Sequence, residues 1–499
     1  MFKRLGEKIQ KRPAIGWMIF AVVMVGVFIL GLLAASITER RAEIATLFNN
    51  KRIEISGIEP RSEQWGINYP REYETWLKTA DMDFTSKHMG NTPSDVLEER
   101  PSMVVMWAGY AFSRDYSAPR GHMHAIEDIR ATLRTGTPDD GEGDMQPGTC
   151  WTCKGPDVPR LMQDKGFENF YKAKWSDFGA EVMNPIGCAD CHDPQTMNLT
   201  ITRPALVEAF ERRGMDITKA TQQEMRTLVC AQCHVEYHFK GENKYLTFPW
   251  DNGLSVEDME RFYDEAEFTD WTHSLSRAPM LKAQHPDYEI FTMGPHYKRG
   301  LSCADCHMPY KSEGGIKYSN HQVVSPLKNI SNTCQTCHRD SEEELRQYVY
   351  EYQDKALEIR DRIEEVLPQV HIMAKVAWDH GATEAEMAKA LKLIRQAQWR
   401  WDYAVASHGA SFHAPVETQR VLAHSLDKSL QAQMELQKVF FAKGIKDFDM
   451  PDISTKSKAQ EFIGLDMEQL KADKEQWLKK VPPVWVQKAK EEGKITAQL

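Results

Sequence analysis

All ten cysteines of this 499-residue chain fall into five Cys-x-x-Cys pairs. Four pairs run straight into histidine: Cys188–Cys191–His192, Cys230–Cys233–His234, Cys303–Cys306–His307 and Cys334–Cys337–His338. The fifth, Cys150–Cys153, runs into Lys154 instead. Cys-x-x-Cys-His is the attachment signature of c-type haem, with two thiols bonded to the porphyrin and the adjacent imidazole placed under the iron. Structural zinc also uses paired cysteines, and an exported protein can join them as disulfides. Neither explains why histidine directly follows four pairs with no cysteine left over. The pattern predicts five covalently bound haem c groups, one of them ligated differently from the rest. Macrocycles then supply much of the apolar interior. The expected fold class is mainly α: a multihaem cytochrome c with a haem-packed core, few short strands and long C-terminal helices.

The N-terminus carries Lys3, Arg4, Lys8, Lys11 and Arg12, then an uncharged span from Ala14 to Ile37, then Arg40 and Arg41. That span is long enough to cross a bilayer as a helix, and the basic flank places the N-terminus in the cytoplasm. Two readings stay open. One is a retained anchor, favoured by the length of the apolar run. The other is a cleaved signal, with Ala34-Ala35-Ser36 as the cleavage site. Either way the remainder is exported to the periplasmic side of a bacterial cytoplasmic membrane, which suits covalent haem. The formal net charge of −10 and the lack of a basic run argue against a nucleic-acid partner.

Five regions follow: a basic segment at 1–13, the anchor or signal at 14–37, a polar linker at 38–56, a haem-bearing region at 57–340 and a helical C-terminal region at 341–499. Ser341 and Glu344 form a capping-box pattern. Leu345, Val349, Tyr352, Ala356, Ile359, Ile363 and Val366 then make a heptad-like stripe on a helix expected to end near Pro368. Thr383 and Glu386 open a second helix running towards His408, and a third is expected from Val416 to Lys443, stopped by Gly444. The stripe fits either packing on the protein's own core or a helical subunit interface.

Seventeen histidines less the four in motifs leave thirteen. A relay haem needs a second axial ligand, and spacing alone does not select it. His122, His296, His321 and His413 lie near haem motifs or in turn-like segments. His371, His380 and His424 fall on expected helices and read as structural or solvent-exposed. Lys154 is different in kind. A lysine amine, with a free pKa of about 10.4, ligates iron only after losing its proton. That cost has no purpose at a mere relay, and axial-ligand identity is a main lever on iron reactivity. The Lys154 haem is therefore the expected catalytic centre.

Cys150-Trp151-Thr152-Cys153-Lys154 with four Cys-x-x-Cys-His motifs resembles the pentahaem cytochrome c nitrite reductases, which form ammonia. Arg114-Asp115-Tyr116, Pro119-Arg120-Gly121-His122, Val235-Glu236-Tyr237, Lys282-Ala283-Gln284-His285-Pro286 and Phe412-His413-Ala414-Pro415 are similar to that family's signatures. His238, after Tyr237, falls where family members vary. The resemblance implies that Lys154 is the proximal ligand of the active haem, with Arg134, Tyr237 and His285 in its distal pocket. It implies a calcium ion held by the side chains of Glu236 and Gln284 and the carbonyls of Tyr237 and Lys282. It implies His122, His296, His321 and His413 as distal ligands of the third, fifth, second and fourth haems, with His408 the alternative to His413. It further implies nitrite as substrate, hydroxylamine, nitric oxide and, more slowly, sulfite as other substrates, and a homodimer formed through the C-terminal helices. The implied electron donor is a membrane tetrahaem quinol dehydrogenase or a soluble multihaem cytochrome.

That chemistry agrees with the residues. Converting nitrite to ammonium consumes six electrons and eight protons. Arg134 can draw in and steady an anion, and His285 and Tyr237 can donate hydrogen bonds or protons. Calcium, which prefers oxygen ligands, would tie the Glu236–Tyr237 and Lys282–His285 segments together. The contrasting reading is a non-catalytic multihaem electron carrier, separated from the enzyme by the state of the Lys154 haem. A relative with eight haems is disfavoured by the five motifs.

Overall fold

The computed structural model describes residues 10–49, 52–138 and 146–496, so Lys3, Arg4 and Lys8 lie outside the described residues. Helix α1 (Pro13–Asn49) contains the apolar span. Its segment Pro13–Arg41 has a mean hydropathy of 2.8 and none of its most apolar stretch is buried, so it is long and apolar enough to cross a membrane. The helix passes beyond the apolar run, and the first part of the polar linker is helical rather than irregular. Glu39, Arg40, Arg41, Ala42 and Glu43 include several strong helix formers, and no Gly or Pro intervenes to stop the turn.

The haem-motif region is built of short helices and single turns. Among the described residues it also has three two-stranded antiparallel ribbons: β1 (His238–Lys240) with β2 (Tyr245–Thr247), β3 (Trp271–Thr272) with β4 (Pro279–Met280), and β5 (Tyr310–Glu313) with β6 (Ile316–Ser319). Long helices follow: α2 (Glu342–Asp379), α3 (Glu384–Ala406), α4 (Pro415–Lys443) and α5 (Met467–Glu491). Both expected capping boxes form. Ser341 N donates to Glu344 at 2.9 Å and Thr383 N to Glu386 at 2.7 Å, and Gly444 closes α4 in the left-handed region at φ 71°.

Helix α2 does not end near Pro368. It runs eleven residues further, to Asp379, with Pro368 buried inside it. Proline costs the helix a hydrogen bond. Here Leu367, Val370 and Ala374 are fully buried around it, so tertiary packing outweighs the local penalty. The stripe on α2 faces the protein's own interior at Leu345, Val349, Ala356 and Ile363, while Tyr352 is exposed. Helices α2, α3 and α4 pack against one another. One apolar core runs from Val96 to Trp485, so the haem-motif region and the C-terminal helices share an interior. Of the three histidines read as structural or exposed, His371 is fully buried on α2, and His380 and His424 are exposed.

Candidate haem and substrate site

Each motif sits on a tight turn or a helix of one to three turns that presents its cysteines on one side. Cys188–Cys191 and Cys303–His307 are single helical turns, and Cys230 closes the helix Gln222–Ala231. No disulfide is formed within the four histidine-bearing motifs. Thiols of different motifs meet instead, Cys153 beside Cys233 and Cys230 beside Cys303, so the first, third and fourth motifs abut in series.

Each motif histidine has a second histidine opposite it. Ring centroids are 6.2 Å apart for His192 and His321, 6.4 Å for His234 and His122, 6.3 Å for His307 and His413, and 6.3 Å for His338 and His296. Two imidazoles sharing one first-row metal ion, at about 2 Å per bond, place their centroids about 6 Å apart. Rings that touch directly lie closer, as the stacked His273 and His371 do at 3.8 Å. His408 faces no other histidine ring among the described residues, so it is His413 that stands across from His307.

The outer nitrogens are also arranged. Nδ1 of His192 lies 2.9 Å from the Met197 carbonyl, that of His307 3.1 Å from Val324 and that of His321 2.9 Å from Ser319. His234 Nδ1 lies 3.4 Å from Asp287 Oδ2. Such partners fix the ring and leave Nε2 available to a metal. Burial pushes His122, His307 and His321 down to about 4, keeping them in the neutral form that metals bind.

Lys154 follows the turn Gly148–Trp151, which is held by Trp151, fully buried and stacked 4.4 Å from Trp175. The His285 side chain is accessible to solvent, with enough protein packed around it to disfavour its charged form. Burial, then the charge of neighbouring Lys154, press its pKa down to about 3. Burial raises the Tyr237 hydroxyl well above 10, with Cys153, Cys150, Glu236 and Tyr110 adding to the effect. Tyr110 in turn senses Cys150 and Arg134. The Arg134 guanidinium lies 4.4 Å above the Phe112 ring and its Nε donates to Thr132 Oγ1 at 3.2 Å. Thr132 Oγ1 donates to Asp115 at 2.8 Å. Tyr110 and Phe112, neither assigned a role from sequence, stack at 5.5 Å, and Phe112 with Tyr116 forms an aromatic shelf under Arg134. Both fall just before Arg114-Asp115-Tyr116, and that run of aromatics was the available signal.

Beside Tyr237, Glu236 is fully buried. Its carboxylate accepts from Gln284 N at 2.6 Å and from Tyr263 Oη at 2.8 Å, and it has no ion-pair partner among the described residues. Gln284 Nε2 donates to the Lys282 carbonyl at 3.3 Å, so three of the four expected calcium-binding residues meet in one network. Glu289 Oε1 accepts from Glu236 N at 2.9 Å, while its other oxygen has no partner. Burial pushes Glu289 up to about 8. No cluster of three His, Cys, Asp or Glu side chains suited to a metal occurs among the described residues. A cation here would have to lean on carbonyl oxygens.

The sequence matches the model of the cytochrome c552 family over residues 61–494. The chain belongs to that family. Membership carries covalently bound haem c with it, in keeping with the five motifs. A cytochrome c-552 from Bacteroides fragilis is 63% identical, covering 96% of this chain and 98% of its own length. One from Porphyromonas gingivalis is 62% identical, covering 97% of each. Another from Maridesulfovibrio salexigens is 45% identical over 95% of this chain and 96% of its own length. Among solved structures, the chain is similar to the catalytic subunit of cytochrome c nitrite reductase from Desulfovibrio desulfuricans. The TM-score is 0.74 and the identity 31%, covering 84% of this chain and 91% of that one. That protein is described as having two calcium sites. The mainly α multihaem cytochrome fold is thereby established for this cytochrome c552 family member.

Proposed function

We propose that this chain reduces nitrite to ammonium at a c-type haem attached to Cys150 and Cys153 and ligated by Lys154. The observation that carries the reading is the contrast between motifs. Four motif histidines each face a second histidine at 6.2–6.4 Å, whereas the first motif carries Lys154, whose charge is felt at His285. Similarity to a cytochrome c nitrite reductase favours the same substrate. His321, His122, His413 and His296 would serve as second ligands of the second to fifth haems, in that order. Bound haem supplies a redox-active iron open to substrate at one site and an electron relay at the other four.

The chain's own residues do the rest. Arg134, held by Thr132 and the aromatic shelf, attracts and orients the anion. The neutral His285 imidazole donates a ring N–H hydrogen bond to a substrate oxygen. Tyr237 offers its hydroxyl as a second donor. Glu236, Gln284 and the carbonyls of Tyr237 and Lys282 would hold a calcium ion, whose charge would offset the buried carboxylate and whose ligands would join the two segments that carry Tyr237 and His285. Hydroxylamine and nitric oxide fit the same pocket as smaller nitrogen substrates. The protein acts on the periplasmic face, with α1 as a retained anchor or a cleaved signal. It pairs as a homodimer and takes electrons from a membrane tetrahaem quinol dehydrogenase or a soluble multihaem cytochrome. The deciding experiment is nitrite-dependent oxidation of reduced viologen by the five-haem protein with ammonium quantified; absence of ammonium rejects the reading.

A further inference from the structure

Arg203 is 1% exposed and lies outside every motif. Its guanidinium nevertheless reaches the first motif on both sides of the lysine. Nε donates to the Thr152 carbonyl at 2.8 Å and Nη2 to the Gly155 carbonyl at 2.9 Å. Nη2 also pairs at 2.6 Å with Asp190, the second x residue of Cys188-Ala189-Asp190-Cys191. Gln232 occupies the matching position of Cys230-Ala231-Gln232-Cys233. Its Oε1 accepts from Thr202 N at 3.0 Å and Arg203 N at 3.2 Å, and its Nε2 donates to the Asp190 carbonyl at 2.9 Å. Arg203, Asp190 and Gln232 thus knit three attachment loops into one buried polar junction.

We propose that Arg203 is the positioning residue for Lys154: it fixes the backbone on either side of the lysine and sets it against the second and third motifs. A haem on Cys150 and Cys153 would be tethered through two thioethers, and its ligation by lysine would then depend on where the Lys154 backbone sits. Histidine delivers a rigid ring; lysine reaches through a flexible four-carbon stem and needs its start point held. The flank is fixed on its other side too. A Cβ at Gly155 would lie 2.1 Å from the Asn184 carbonyl oxygen. Asp157, fully buried, accepts from Met183 N and Asn184 N, both at 2.9 Å. Arginine suits the task because its rigid planar fork spreads its donors across the Thr152, Gly155 and Asp190 acceptors, a span that a compact ammonium on a flexible stem does not fix.

This inference rests on Lys154 being the proximal ligand, and the test separates the two. Wild-type holoprotein is first examined by electron paramagnetic resonance and spectropotentiometry; if it shows only low-spin haems, the lysine reading itself fails. Given a distinct fifth haem, Arg203→Met is compared at equal haem content. The expected result is a changed spin-state signal and a shifted potential of that one haem. The other four stay unchanged, and nitrite turnover falls about 10-fold or more, as for other outer-shell partners of metal ligands. An unchanged signal and turnover overturn the proposal. If the methionine variant does not mature with five haems, Arg203→Lys carries the test. It keeps the charge beside Asp190 but not the fork across Thr152 and Gly155. A perturbed fifth haem supports the proposal, and a wild-type signal overturns it.

Discussion

Asp287 Oδ2 lies 3.4 Å from Nδ1 of His234, making His234 the one motif histidine whose outer nitrogen meets a carboxylate rather than a backbone carbonyl among the described residues. Asp287 stands two residues beyond His285, and its other oxygen accepts from Ser407 Oγ at 2.5 Å. Burial opposes its charge, yet the hydrogen bonds from His234 and Ser407 hold it well below the usual carboxylate range. The carboxylate therefore stands between the third haem motif and the pocket.

An anionic partner makes an imidazole a stronger donor to its metal and favours the oxidised form. Asp287→Asn keeps the shape and removes the charge. One low-spin haem should then rise in midpoint potential while the other relay haems hold theirs. Spectropotentiometry reads this directly, and a set of potentials identical to wild type would remove Asp287 from the relay.

Within the pocket, His285→Ala and Arg134→Ala should each lower nitrite turnover by about 100-fold or more, the scale for losing a proton donor or an oxyanion partner. Haem absorbance should persist, because neither residue is needed for attachment. Lys154→His should keep the haem and change the rate. Wild-type turnover in both pocket variants would place the pocket elsewhere.

What could be read from the sequence was local. Cys-x-x-Cys spacing, the lysine that breaks it, and the Ser341–Glu344 and Thr383–Glu386 caps each lie within a few residues, and the chain builds them where the letters put them. The facing histidines were not legible from spacing, since His122 precedes His234 by 112 residues (234 − 122) and His413 comes from the C-terminal helices. They were reached through family likeness. Pro368 misled because its cost is local and the burial that outweighs it is not. Arg203 was invisible for the same reason: its carbonyl partner at Gly155 lies 48 residues away.

Calcium removal offers another check. A strong chelator should lower turnover and raise the KM for nitrite, because Glu236 and Gln284 flank Tyr237 and His285 in the chain. Added Ca2+ should restore both, and Mg2+ should not, since it demands tighter octahedral geometry. Metal analysis of the purified protein must find the ion in the first place. A calcium-free protein at full activity refutes the assignment.

The His273–His371 stack gives an acid-side prediction unrelated to haem. Both rings are fully buried and satisfied: His371 meets Ser276 at 2.9 Å and Gln398 at 2.8 Å, and His273 meets the Val105 carbonyl at 2.8 Å. Burial pushes His371 down from 6.5 to about 4. The unfolded chain then binds the proton first. No penalty exists above the unfolded value, and the full penalty is present below the folded one. Stability should fall as pH drops through that window, by about 3 kcal/mol for a shift of this size. Denaturation midpoints between pH 7 and 4 should change less in His371→Gln than in wild type.

Lys474 carries the argument to the alkaline side and back to the substrate. It lies on α5, is 3% exposed, and donates to Thr135 Oγ1 at 3.0 Å and the Gly136 carbonyl at 2.6 Å. Those residues close the turn that bears Arg134. Burial lowers Lys474 to about 7, so the native state resists its proton. The cost is complete below that value and vanishes towards the unfolded value of about 10.4, so stability should rise with pH across this interval. Lys474→Met removes that slope and leaves the Gly136 carbonyl unpaired, at about 1–3 kcal/mol. Because the loosened turn holds Arg134 rather than the haem ligands, the KM for nitrite should rise while the haem potentials stay in place. An unaltered KM with the expected stability loss would show that the turn can shift without carrying Arg134 with it.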